Sequence, residues 1–161
     1  MKVGIVMGSK SDLPVVERTQ KLLSEFGIDY VTRIISAHRT PYAAEGFAKN
    51  AESDGIELII AAAGKAAHLG GVIAAYTPLP VIGLPIKSST LDGLDSLLSI
   101  VQMPKGVPVA TVAIDGAENA GILAAQILSV KYPELREKMK AYKTKMEEDI
   151  LAIDAQLQEQ E

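Results

Sequence analysis

The chain holds two histidines, His38 in Ser36-Ala37-His38-Arg39-Thr40 and His68 in Gly64-Lys65-Ala66-Ala67-His68. An unperturbed imidazole titrates close to neutral pH, so it can take and return a proton there, an ability worth about 10²–10⁴ in rate when well placed. The guanidinium of Arg39, next in the chain, presents a planar fork of donors suited to a phosphate. A third segment, Gly8-Ser9-Lys10-Ser11-Asp12, follows an apolar run and opens a helical pattern. Glycine permits the tight turn, the serine hydroxyls can donate to phosphate oxygens, and a helix start adds free N–H groups and the positive end of a dipole. Each segment also has a plainer reading. Ser11 or Asp12 can serve only as a helix cap, His38-Arg39 can be a solvated loop pair, and His68 can be structural. At a helix start His68 is expected to stay neutral and to act as a donor.

Other chemistries are excluded. With no cysteine among 161 residues, thiol nucleophiles, disulfides and iron–sulfur centres are absent. Two histidines and scattered carboxylates make only a weak case for a metal, and none is expected. The Walker spacing is missing, because Gly64-Lys65 is followed by alanine, and no GxGxxG occurs. Twenty acidic and sixteen basic residues give a net charge of −4 without a basic stripe, which argues against a nucleic-acid partner. No apolar run approaches the roughly 20 residues that span a bilayer, and the N-terminus lacks a signal-peptide pattern, so a cytoplasmic protein is expected.

The elements that must position these residues come from the apolar pattern. Runs at 3–7, 30–35, 57–62, 80–84 and 107–114 are rich in Val, Ile and Leu and read as strands. Segments 14–26, 42–53, 68–76, 91–101 and 117–130 carry helical spacing between them. Alternation of this kind indicates α/β architecture, a parallel sheet with helices on both faces. The nearly continuous apolar strands fit burial on two sides. Gly27 and Asp54-Gly55 read as helix ends.

Right-handed crossovers leave two main strand orders, a flavodoxin-like 2-1-3-4-5 and a Rossmann-like one. In the first, strand 1 lies between strands 2 and 3, and their carboxyl ends gather residues 7–12, 36–40 and 62–68 at a topological switch point, where open α/β sheets bind ligands. Ala66, Ala67, Gly70, Gly71, Ala74 and Ala75 form a small-residue helix suited to close packing. The loop 99–108 carries Gln102 and Met103, which either belong to a turn or cover a ligand. From Pro133 a long charged helix carries an apolar stripe, Leu135, Met139, Tyr142, Met146, Ile150, Ile153 and Leu157, ending in frayed residues. The division expected is 1–132 as one catalytic α/β domain and 133–161 as a C-terminal helix. The stripe fits packing on another subunit or on its own domain.

Residues 7–12 (MGSKSD), 36–41 (SAHRTP), 66–69 (AAHL), 95–109 (DSLLSIVQMPKGVPV) and 119–128 (NAGILAAQIL) together resemble one family. It is the catalytic subunit of phosphoribosylaminoimidazole carboxylase, the class I N5-carboxyaminoimidazole ribonucleotide mutases of purine biosynthesis. The resemblance covers about residues 2–130 and implies a flavodoxin-like three-layer sandwich with a five-stranded parallel sheet. It further implies a homo-oligomer, typically an octamer with active sites at subunit interfaces, a small-molecule ribonucleotide substrate, and no metal or organic cofactor. Carried over by motif, Ser9, Ser11 and Arg39 hold the ribose phosphate, with Ser36 beside them, and Asp12 faces the ribose hydroxyls. His38 is the general acid/base, and Gly64, Ala66 and His68 line the carboxylate side.

Two positions depart from the mutase pattern: Lys65 stands where glycine is common, and Gly70 stands where proline is. A basic residue at 65 is similar to the arginine of the related direct carboxylases, which take aminoimidazole ribonucleotide and CO₂. The segment 114–119 is also shorter than in many members. A direct carboxylase is therefore the alternative enzyme, and a flavin- or nucleotide-binding module is the alternative of another class. The scarcity of aromatics, 4% of residues, disfavours the flavin.

Overall fold

The computed structural model describes residues 1–159 of the 161, so residues 160 and 161 of the expected C-terminal helix and frayed end lie outside the described residues. Five strands, β1 (Lys2–Met7), β2 (Asp29–Ile34), β3 (Leu58–Gly64), β4 (Val81–Ile86) and β5 (Ala110–Thr111), form one parallel sheet in the order β2-β1-β3-β4-β5. Six helices connect and cover them: α1 (Leu13–Phe26), α2 (Pro41–Asn50), α3 (Leu69–Tyr76), α4 (Leu94–Val101), α5 (Ala117–Leu128) and α6 (Pro133–Gln158). The flavodoxin-like order is the one expected.

Strand residues alternate between two cores, as the pleat requires. Val3, Ile5, Met7, Leu58, Ile60, Ile82 and Leu84 pack with α1 and α5, whereas Val6, Ile59, Ala61 and Ala63 pack with α2, α3 and α4. Two-sided burial holds for β1, β3 and β4. It fails at the β2 edge, where Tyr30 is 38% and Ile34 54% exposed.

Close approach of α4 to the sheet depends on Gly83, where an added Cβ would sit 2.2 Å from Ile100 Cγ2. On the other face, Ala120, Gly121, Ala124 and Ala125 of α5 are all buried, and this small-residue stripe lets α5 lie close against α1. Gly27 takes φ 74° and closes α1 as the sequence indicates.

The largest departures from the sequence reading are at β5 and α4. The expected strand 107–114 shrinks to Ala110–Thr111, because Pro108 has no N–H to donate and the segment lies at the sheet edge with one strand partner. The helix expected from 91 begins at Leu94, because Leu91, Asp92 and Gly93 all adopt positive φ. The N-terminal part of the α6 stripe docks on its own domain: Leu135 and Met139 are buried, worth about 1.5–3 kcal/mol each, and Tyr142 meets Phe26 edge-on at 5.6 Å. Met146, Ile150, Ile153 and Leu157 remain exposed.

The register positions the site. Met7 pairs with Ile34 on one side and Ala62 on the other, so β1, β2 and β3 end level. Gly8 N–H then donates to the Ala62 carbonyl (3.1 Å) and Ile35 N–H to the Met7 carbonyl (2.9 Å). The three loops leaving these strands open onto one point.

Candidate active site

At that point lies a cavity of about 600 Å³. The nine residues assigned from the sequence to a binding or catalytic role line it: Ser9, Ser11, Asp12, Ser36, His38, Arg39, Gly64, Ala66 and His68.

The Gly8–Asp12 loop folds around its own cap. Ser9 Oγ accepts from Ser11 N–H (3.3 Å) and faces Ser11 Oγ (2.9 Å), while Ser9 N–H donates to Asp12 Oδ2 (3.1 Å). This capping box precedes α1. Ser9 caps the single 3-10 turn 10–12 that leads into α1, the Asp12 carboxylate completes the box, and Asp12 itself stands at the N-cap position of α1. The amides of Ser9, Ser11 and Asp12 are engaged within the loop, so these three are not among the free N–H groups expected at the helix start.

Asp12 is buried, and burial pushes its carboxyl above the ordinary value of 3.8 against the opposing hydrogen bonds of Ser11 and Ser9. The folded state thus holds this proton more tightly than the unfolded chain. Ionised Asp12 costs stability above its folded pKa, and the cost disappears as pH falls below 3.8. We expect Asp12→Asn to melt no lower than the parent at neutral pH, with the two curves converging in acid; melting temperature against pH checks this.

Residues 36–40 form a self-bonded turn. Thr40 N–H donates to the Ser36 carbonyl (2.8 Å), Ser36 N–H to Thr40 Oγ1 (3.0 Å) and Arg39 N–H to Ser36 Oγ (3.2 Å). Arg39 reaches across to the first loop, its Nη2 donating to the Gly8 carbonyl at 3.2 Å. The guanidinium thus stands beside the serine hydroxyls.

His68 is the N-terminal cap residue of α3, as its position after strand 3 suggested. His38 Nε2 and His68 Nδ1 are 2.8 Å apart, with the rings nearly perpendicular at 80°. One proton occupies the space between the facing nitrogens, so the tautomer of each ring fixes that of the other. The two histidines, 30 residues apart in sequence, form one hydrogen-bonded pair.

A fourth loop was missed by the sequence reading: Lys87, Ser88 and Ser89, just after β4, also line the cavity. Asp115 holds this loop, its Oδ1 accepting from Lys87 N–H at 2.8 Å, and that gives the short 114–119 segment a bracing contact. Ser88 Oγ faces the Asp95 carboxylate at 2.9 Å. The signal available was the Ser-Ser-Thr run following an apolar strand. Gln102 and Met103 do not line the cavity; the Met103 sulfur lies 2.7 Å from where a Cβ on Gly71 would be, so it packs on α3.

The lining has no aromatic ring beyond the two imidazoles and offers no stacking face to a flavin. Among the described residues no group of three His, Asp or Glu side chains could hold a metal ion, and no helix is long and apolar enough to cross a membrane.

Residues 2–149 match the family model described as AIR carboxylase. The chain is 63% identical to the N5-carboxyaminoimidazole ribonucleotide mutase of Thermotoga maritima over 150 residues, covering 93% of this chain and 88% of that one. A mutase of the same description from Pyrococcus abyssi is 63% identical over 145 residues, covering 90% and 83%. The fold is similar to a crystal structure of Treponema denticola PurE, with a TM-score of 0.90 and 33% identity over 97% of this chain and 98% of that one.

Proposed function

This chain belongs to the AIR carboxylase family, and from that membership we infer that it is an N5-carboxyaminoimidazole ribonucleotide mutase, an isomerase of purine biosynthesis. One observation carries the reading at the level of the site. His38, paired with His68 at 2.8 Å, stands beside the Arg39 and Ser9-Ser11 cluster at the switch point of the sheet.

Ser9, Ser11 and Arg39 hold the ribose phosphate, with Ser36 keeping Arg39 in place, and Asp12 accepts from the ribose hydroxyls. Gly64, Ala66 and His68 line the carboxylate side. In the reaction the bond from N5 to the carboxyl carbon breaks, releasing CO₂, and N5 gains a proton. The electron-rich C4 then bonds to the CO₂ carbon, and loss of the C4 proton restores the aromatic ring. One proton enters and one leaves, so His38 can supply the first and accept the second. No net acid or base is consumed. CO₂ must stay until it is captured, which favours a site closed to bulk water.

The protein acts as a homo-oligomer, an octamer by analogy with the family, in the cytoplasm. The exposed stripe Met146, Ile150, Ile153 and Leu157 supports packing of α6 on a neighbouring subunit. Light scattering is expected to give the octamer mass, and a monomer at micromolar concentration overturns it.

The activity test supplies each substrate separately. Conversion of the carbamate to 4-carboxy-5-aminoimidazole ribonucleotide without added bicarbonate is expected. Strict dependence on CO₂ with aminoimidazole ribonucleotide would make the protein a direct carboxylase instead.

A further inference from the structure

Among the described residues, Lys65 is the cavity cation that neither a hydrogen bond to the surrounding loops nor an ion pair accounts for. Three cationic side chains line the cavity, Arg39, Lys65 and Lys87. Arg39 is placed against Gly8 and Ser36 on the phosphate side. Lys87 lies 3.3 Å from the Asp92 carboxylate. Lys65 forms no ion pair among the described residues. The single carboxylate in the lining among the described residues, Asp12, is engaged by Ser9 and Ser11.

The backbone at Lys65 adds a second observation. Its φ is 57°, in the left-handed region where a residue with a Cβ is disfavoured and glycine is not. A long charged side chain therefore occupies a position where local conformation favours none. Departures of this kind persist where the surroundings over-determine them, and they cluster at functional sites. Lys65 is also the first residue beyond β3, three positions before His68, so its exposed ammonium stem starts at the imidazole end of the cavity rather than the phosphate end.

We propose that Lys65 recognises the carboxylate of the bound ribonucleotide, pairing its ammonium with that group and separating carboxylated ligands from the decarboxylated intermediate. The proposal rests on the mutase reading, in which substrate and product each carry two anionic groups and the intermediate carries only the phosphate. Arg39 answers the phosphate, and Lys65 answers the second anion. As a compact ammonium on a flexible stem, lysine can follow the carboxylate as it moves from N5 to C4, which a rigid guanidinium fork would do less well.

The test measures binding of 4-carboxy-5-aminoimidazole ribonucleotide and of aminoimidazole ribonucleotide by calorimetry, for the parent, Lys65→Gly and Lys65→Met. Loss of a charge-assisted contact predicts about tenfold or more weaker binding of the carboxylated ligand in both variants, with the other ligand within about twofold. The parent's preference for the carboxylated ligand should also shrink as salt rises. Equal losses for both ligands, or no loss for either, overturn the assignment. Lys65→Gly should melt no lower than the parent, since glycine suits φ 57°, and this shows that any affinity loss comes from a folded protein. A parent that binds neither ribonucleotide overturns the mutase reading itself, an outcome distinct from losing the difference between the ligands.

Discussion

Replacing His38 with asparagine is expected to lower turnover by about 10²–10⁴ while leaving ribonucleotide affinity within a few-fold of the parent. Asparagine is of similar size and can still hydrogen-bond to His68 across the present 2.8 Å gap. The Ser36–Thr40 turn is held by backbone and hydroxyl contacts that do not use the imidazole, so its geometry should persist. What asparagine cannot do is take a proton from C4 or return one to N5 near neutral pH. The loss corresponds to roughly 3–5.5 kcal/mol of transition-state stabilisation, at about 1.4 kcal/mol for each factor of ten. Single-turnover kinetics with calorimetric affinities separates the two quantities. Near-normal turnover in the variant would remove His38 from the proton transfer.

Arg39→Ala should act on the other parameter. A guanidinium paired with phosphate contributes one or two charge-assisted hydrogen bonds, each worth about 1.5–3 kcal/mol, so kcat/KM should fall by about 10²–10³. Stability should change little, because Arg39 is exposed and its existing contacts to Gly8 and Ser36 are long, at 3.2 and 3.4 Å. Arg39→Lys should recover only part of the loss, since lysine restores the charge and not the fork. An unchanged KM for the phosphorylated substrate in Arg39→Ala would place the phosphate elsewhere.

Legibility in the sequence followed burial. The apolar runs of β1, β3 and β4 are continuous because helices cover both faces, and these strands were placed within a few residues. Strand β5 carries no such record: its two residues sit at an edge, and Pro108 interrupts the run that advertised a longer strand. The apolar run 80–84 stops two residues short of the end of β4, which continues through Pro85 to Ile86. The structure tolerates Pro85 since Gly83 and Pro85 carbonyls both accept bonds from the β5 side, so the missing Pro85 N–H also faces that side, beyond the short β5 ladder.

That early stop hid the fourth loop of the site. Lys87, Ser88 and Ser89 were one strand-end away from the segments already recognised. The three loops that were found share a property the fourth lacks, a residue type rare in this chain or a glycine turn signal immediately after an apolar run. The hydrogen bond between His38 and His68 was beyond reach, since sequence fixes which strand ends converge and not which ring atoms meet.

The register of the sheet also sets a timetable. The interior strand β1 is made first, yet Val3 pairs with Leu58, on the order of 55 positions later. At roughly 5–20 residues per second, an interval of about 3–10 s separates their synthesis. During it β1 can pair only with β2, leaving Val3, Ile5, Val6 and Met7 beside an open edge of unbonded peptide groups. A strand destined for burial is thus an association-prone edge in the nascent chain, and folding yield depends on how quickly β3 reaches it.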